Sequence, residues 1–243
     1  MNLLAFDTST DSMSIAVQRT VDGVVRTWQH TAVGGAQTST RLIPDTLALL
    51  AQAELDLTDL RTIAFGRGPG SFTGLRTACS VAQGLAFGAG LSVLPIDSLL
   101  AVAEAARFEH APQSPHWRVL ALLDARMDEL YAAAYVFTDG LWTQHQPPGL
   151  LRPEQLLADD DWALAGNVFD HYGERLSPRQ SPRLSVLPTA SALLRLAPAL
   201  LATGADVPPE QALPLYVRDK VAQTTLERAV QKAAAQAGPG LGH

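Results

Sequence analysis

The chain has a single cysteine, Cys79, among 243 residues. That excludes an internal disulfide framework and suits a reducing cytosol. Positive charge is also scarce: eighteen Lys and Arg face twenty-four Asp and Glu, for a net charge of −6. A protein that grips a polyanion unaided carries a basic surplus or stripe, so any RNA phosphates must be held mainly by another chain. The six histidines, at 30, 110, 116, 145, 171 and 243, show neither H-x-x-x-H nor H-E-x-x-H spacing, the usual mark of a helical zinc site. No G-x-S-x-G elbow occurs. These absences argue against autonomous catalysis. Residues Met1–Asp7 lack the basic n-region of a secretory signal, and a cytoplasmic location is expected.

Apolar residues make up 47% of the chain and charged residues 17%, enough to bury a sizeable core. Thr77 to Ile96 carries no charge, but Gln83, three glycines and Pro95 interrupt it. A membrane span wants about 20 unbroken apolar residues, so this run reads as a buried helix followed by a buried strand.

The pattern opens with an antiparallel meander: Leu3–Phe6 up to Asp7, Met13–Val17, then Val24–Trp28 after an Asp22-Gly23 turn. Leu42, Ile43, Thr46, Leu47 and Leu50 fall at helical spacing, with Pro44 near the first turn. Thr62–Phe65 reads as a buried strand, 73–88 as a helix and Val93–Ile96 as a strand. Asp97-Ser98 then caps a helix to about Phe108. The cycle restarts with strands over Val119–Asp124, Leu130–Phe137 and Leu141–Thr143. Placing Asp7 over Asp124 also sets Asp11 over Asp128 and Met13–Val17 over Leu130–Ala134, and Ile63–Gly66 echoes Ala163–Gly166. The repetition suggests an internally duplicated α/β protein. Thr203–Pro214 reads as a loop, and Leu226–Ala237 as an alanine-rich helix.

Three motifs stand out, each with two readings. Gly66-Arg67-Gly68-Pro69-Gly70-Ser71-Phe72-Thr73-Gly74-Leu75-Arg76 joins a strand to a helix. Its glycines permit either a tight turn with close backbone contact or an array of N–H groups facing an anion. It is neither a P-loop nor a G-x-G-x-x-G fingerprint. On the following helix, Gly74, Ala78, Ala82 and Ala86 form one i, i+4 row, and Ser80, Gly84 and Gly88 another. Small rows admit a neighbouring helix closely, within the chain or from another. Asp7, Thr8 and Ser9 either satisfy their own turn or hold a phosphate, and Asp124–Glu129 forms either a solvated turn or a local ion pair.

Leu4–Thr10, Phe65–Arg76, Ala82–Ala86, Leu123–Tyr131 and Pro214–Arg218 together resemble the TsaB family, also called YeaZ, in order and spacing. The resemblance implies an α/β ASKHA fold, the duplicated actin, Hsp70 and sugar-kinase architecture, with two lobes each holding a mixed sheet flanked by helices. The expected lobes are 1–100 and 101–243, with segment 215–237 packing back on the first. It further implies an accessory, non-catalytic role in forming threonylcarbamoyladenosine at A37 of ANN-decoding tRNAs. The direct partner would be the catalytic paralogue TsaD, with the ATPase TsaE joining the pair and tRNA met only through the complex. No intrinsic cofactor is expected, ATP/ADP and metal belonging to the partner subunits, and a homodimer is expected where TsaD is absent. Helices 41–54 and 73–88 would face TsaD, through Arg41, Leu42, Asp45, Gly74, Ala78, Ala82, Gly84 and Gly88. Two departures bear on function: Thr38 stands where family members often have His, and Ser9 stands where an actin-like phosphate loop has glycine. A side chain there crowds a phosphate. The competing readings are an ASKHA ATPase or kinase using Asp7, and a glycoprotease-like peptidase.

Overall fold

The computed structural model describes residues 1–217 apart from 158, 160, 178 and 179. The expected helix over Leu226–Ala237, Arg218 and most of segment 215–237 lie outside the described residues.

The first half runs β1 (Leu3–Asp7), β2 (Ser12–Val21), β3 (Val24–Val33), α1 (Thr38–Gln52), β4 (Thr62–Gly68), α2 (Phe72–Ala89), β5 (Ser92–Asp97) and α3 (Ser98–His110). The second half runs β6 (His116–Asp124), β7 (Leu130–Thr138), β8 (Leu141–Leu151), β9 (Ala163–Gly166), α4 (Phe169–Tyr172), β10 (Arg183–Ser185) and α5 (Ala190–Ala202). The two sheets have the same topology: β3-β2-β1-β4-β5 in the first and β8-β7-β6-β9-β10 in the second. Each begins with an antiparallel meander and continues with two parallel strands. This is the duplicated ASKHA architecture.

The register of the duplication differs from the sequence alignment by one residue in the first strand, and the Ile63–Gly66 echo slips likewise, Phe65 falling over Gly166. Phe6 pairs with Ile15, and Leu122 pairs with Ala132. Ile15 and Ala132 both belong to outward cores, so Phe6 corresponds to Leu122, and Asp7 to Leu123. A one-residue slip turns a strand side chain to the opposite face. Asp7 accordingly turns inward to Ser98, whereas Asp124 turns outward to Tyr172.

The layers follow from strand alternation. On the outer side of sheet 1, Leu4, Phe6, Ile15, Val17, Ile63 and Phe65 pack under α1 and α2. Its inner side, Leu3, Ala5, Ala64, Leu94 and Ile96, packs against α3 and α5. α3 shows its other flank, through Leu99, Val102 and Ala106, to the inner side of sheet 2. The outer side of sheet 2 is covered by Leu156, Trp162, Val168, Tyr172 and Leu176. Where the first half builds α1 and α2, the second half has, among the described residues, only short 3-10 turns and α4.

α5 has no counterpart in the sequence reading above, yet it packs on β1, β2 and β4 across the chain. Thr189 caps it by accepting from Ala192 N–H, and Pro198 sits within it. α2 carries the charge-free run against sheet 1, and among the described residues no helix is long and apolar enough to cross a membrane.

Ala78 and Ala82 are fully buried in the core under α2, which fixes an expectation for the isolated chain. Ala82→Trp forces an indole against sheet 1, and over-packing of this kind costs about 1–3 kcal/mol or more. Thermal unfolding should show a clear loss of melting temperature without any partner present; a parent-like melt would contradict the inward orientation.

Candidate functional site

Asp7 ends β1 with 1% of its surface exposed. Ser9 donates to its Oδ1 twice, from the backbone N–H at 2.8 Å and from Oγ at 2.6 Å. Ser98, the first residue of α3, donates to Oδ2 from 2.8 Å. Burial pushes the carboxyl above its ordinary range, and the three donors pull the other way. Asp7 therefore ties the β1–β2 turn to the start of α3, with both oxygens occupied.

The glycine-rich loop is pressed onto that turn. A Cβ on Gly66 would fall 1.8 Å from Asp7 Oδ2, one on Gly70 2.3 Å from the Ser9 carbonyl oxygen, and one on Gly74 1.9 Å from the Thr8 carbonyl oxygen. Ser71 N–H donates to the Ser9 carbonyl at 2.7 Å, and Thr8 Oγ1 donates to the Gly74 carbonyl at 2.8 Å. Gly70 and Gly74 admit the chain's own backbone and Gly66 the Asp7 carboxylate, in the space where an anion-binding loop would keep its ligand. Of the two readings of the loop, close internal contact is the one the contacts support. Ser9 fits because its side chain serves Asp7 instead of facing a phosphate.

The loop's remaining members hold a returning strap. Leu215 N–H donates to the Arg67 carbonyl at 2.7 Å, and Gly68, at φ +112, lies against the Leu215 carbonyl. Pro69 follows in a cis peptide. Arg67 pairs with Asp97 at 2.6 Å, which draws Asp97 away from the capping role expected of it. Arg76 stacks on Phe72 and donates to Tyr216 Oη at 3.0 Å, with the Phe72 and Tyr216 rings 5.4 Å apart. Thr73 is exposed on the first turn of α2, its carbonyl accepting from Thr77 Oγ1.

Between the lobes lies a cleft of about 320 Å³, lined by Ser9–Asp11, Ser71, Phe72, Asp124, Asn167 and Tyr216 among others. Asp7 is absent from its wall. On the far side Arg126, Met127 and Asp128 take left-handed backbone in succession, at φ 59, 56 and 64, a conformation that costs about 1–2 kcal/mol per residue. Arg126 N–H donating to Asp124 Oδ1 and Ala125 N–H donating to Glu129 carbonyl oxygen hold the turn. Arg126 also pairs with Asp124 and, across the cleft mouth, with Asp11 at 2.6 Å. Among the described residues no group of three or more His, Cys, Asp or Glu could hold a metal.

The expected partner-facing residues divide. Leu42, Gly74, Ala78 and Ala82 are buried within the chain, so they are corrected from partner contacts to core: the Gly74–Ala86 row is the face of α2 that lies on sheet 1. Thr38 is buried as well, at the start of α1. Arg41 and Asp45 form an i, i+4 pair at 3.1 Å, and Asp45 also meets His30 of β3 at 3.4 Å, which engages them along the flank of α1. Gly84 and Gly88 are exposed. They line a groove of about 580 Å³ between α1 and α2, with Leu47, Ala51, Leu55 and Leu85. Beside it stand Phe87, 80% exposed, and Ile43, two signals that attention to small residues alone passes over.

Asp7 supplies a test of the buried tie. Its carboxyl titrates higher folded than unfolded, so its contribution to stability is present below the unfolded pKa and is lost as pH rises through the folded one. Asp7→Asn should remove that pH-dependent loss, so that the melting difference between variant and parent moves in the variant's favour as pH rises from acid to neutral. Asp7→Ala should instead lose about 1–3 kcal/mol, because the Ser9 and Ser98 donors are left unpaired. A pH-independent difference for Asp7→Asn in thermal melts would rule out the titration.

A family model described as TsaD, tRNA N6-adenosine threonylcarbamoyltransferase, matches residues 29–237. Relatives that match over nine tenths of this chain carry the name TsaB. The tRNA threonylcarbamoyladenosine biosynthesis protein TsaB of Escherichia coli (strain K12) is 33% identical over 91% of this chain and 96% of its own. The protein of the same name from Haemophilus influenzae is 32% identical over 91% and 95%. The solved structure of YeaZ from Pseudomonas aeruginosa superposes with a TM-score of 0.79 at 38% identity, covering 88% of this chain and 99% of that one. Agreement in length, fold and sequence across these proteins places the chain: it belongs to the TsaB (YeaZ) family of tRNA threonylcarbamoyladenosine biosynthesis proteins.

Proposed function

We propose that this chain is a non-catalytic subunit of the machinery that forms N6-threonylcarbamoyladenosine at A37 of ANN-decoding tRNAs, and that it acts by docking the transferase TsaD through the outer faces of α1 and α2. Gly84 and Gly88 carry the reading. Each interior helical glycine costs about 1 kcal/mol relative to alanine, and a Cβ at either position would meet nothing within 4 Å in this chain. Internal packing therefore gives no reason for them. A helix of another chain laid into the groove between Leu47 and Phe87 does, since small residues let helix axes approach closely. The apolar flank supplies burial, and the exposed Ile43, Leu47 and Phe87 are its anchors.

The chemistry then belongs to the partners. ATP/ADP and metal reside on TsaD and TsaE, TsaE joins the pair, and tRNA is met through the complex, in keeping with the net charge of −6. A second copy of the chain occupies the same face when TsaD is absent. Asp7 is 1% exposed, hydrogen-bonded through both oxygens and absent from the cleft wall, so it does not face a phosphate-bound metal in the cleft. That disfavours the kinase and ATPase reading.

Gly84→Leu separates the docking face from the interior. The isolated variant should melt at or above the parent's temperature, because a helix former replaces an exposed glycine. Its affinity for TsaD, measured by calorimetry, should fall roughly five- to hundredfold, the equivalent of about 1–3 kcal/mol of over-packing. Parent-like affinity would take α2 out of the interface. The purified chain alone should neither turn over ATP nor modify tRNA, and should bind tRNA weakly at physiological salt in an anisotropy assay. Partner-free turnover abolished by Asp7→Ala, or tight tRNA binding without TsaD, would overturn the accessory role.

A further inference from the structure

Glu104 is an acid buried to 3% exposure in the middle of α3, where α3, α5 and β8 meet. Its Oε1 accepts from Arg195 Nε at 2.8 Å and from Arg107 at 3.1 Å. Its Oε2 accepts from Arg107 Nε and from Trp142 Nε1, each at 3.0 Å. Both cations are backed by rings: the Arg107 guanidinium lies 4.2 Å from the Phe137 ring centre, and that of Arg195 4.0 Å from Phe108. The donors come from different bodies. Arg195 rides on α5, which packs on sheet 1, and Trp142 belongs to β8 of sheet 2. The Trp142 ring packs against the cores on both sides of α3.

We propose that Glu104 is an interlobe clamp that fixes the angle between the two sheets, so that this protein works as a rigid body whose cleft does not open and close. A rotation of one lobe against the other, the usual hinge motion of a two-lobed chain, must stretch either the Arg195 or the Trp142 bond. Either loss leaves a carboxylate of 3% exposure short of a donor, and breaking one partner of a buried charge cluster is far costlier than breaking a surface pair. At the cleft mouth the Arg126–Asp11 pair spans the lobes with both side chains exposed, so the buried cluster carries the constraint. The inference is independent of which partner docks on α1 and α2.

The test places spin labels on exposed positions of each lobe, Arg26→Cys and Gln146→Cys, in a Cys79→Ala background, and reads the interlobe distance by pulsed electron resonance. The unsubstituted clamp should give one narrow distance. Arg195→Met and Trp142→Phe each remove one link while Arg107 stays paired to Glu104, so both variants should fold. Both should broaden the distribution, and α5 amides should exchange with solvent roughly ten- to hundredfold faster, the span set by one lost charge-assisted bond. Amides of β1 and β6 should keep their protection. A broad distribution with the clamp intact, or parent-like narrow ones in both variants, would overturn the proposal. Loss of folding on Glu104→Ala leaves these two milder variants to decide the matter.

Discussion

The molecule is organised around one close approach, that of the β1–β2 turn to the loop between β4 and α2. The Thr8 and Ser9 carbonyl oxygens occupy positions that any Cβ on Gly74 or Gly70 would also need. Because the two segments touch as backbone, α2 begins directly on the first strand's turn, and its buried row is brought flat onto sheet 1. The same contact brings Ser9 to Asp7, and Asp7 to Ser98. The entry to α3, the helix that carries the second lobe, therefore depends on it. The strap at Leu215 closes over the outside of the loop through Arg67 and Gly68.

In a duplicated fold of this kind, a loop and a carboxylate at these places could serve chemistry. Here their hydrogen-bonding capacity is spent inside the chain. Gly70 and Gly74 face carbonyls, Gly66 faces the carboxylate, and the carboxylate accepts from the Ser9 N–H and the Ser9 and Ser98 hydroxyls. On the outer helices, by contrast, exposed Phe87 and Leu47 flank two glycines with open space above them.

Much of this was legible in the sequence. The meanders, α1 and α2 follow from periodicity and turn residues; the repeat suggested a duplicated α/β chain, and the family resemblance supplied the ASKHA fold. The internal alignment failed by one residue because two aspartates at strand ends look alike as letters, whereas their environments differ. Asp7 faces a helix start, and Asp124 faces Tyr172. α5 escaped because Pro198 interrupts an otherwise helical stretch and because its burial is set by sheet 1, far away in the chain. The small row of α2 was visible, but its direction was not. Both the Gly74–Ala86 row and the Gly84–Gly88 row suit close contact, and only the sheet beneath decides which is inside. The Glu104 cluster joins residues 38 and 91 positions apart in the chain and leaves no local trace.

The imbalance between the two halves limits how the protein can assemble. Sheet 1 carries two long helices on its outer side, whereas sheet 2 has, among the described residues, only short turns and α4 there. A chain with a helical pair on both lobes would be divalent, and head-to-tail contacts between such chains propagate into filaments unless the rotation happens to close. The described residues offer such a helical face once, so contact through it, with a similar fold or with a second copy about a twofold axis, does not propagate through that face.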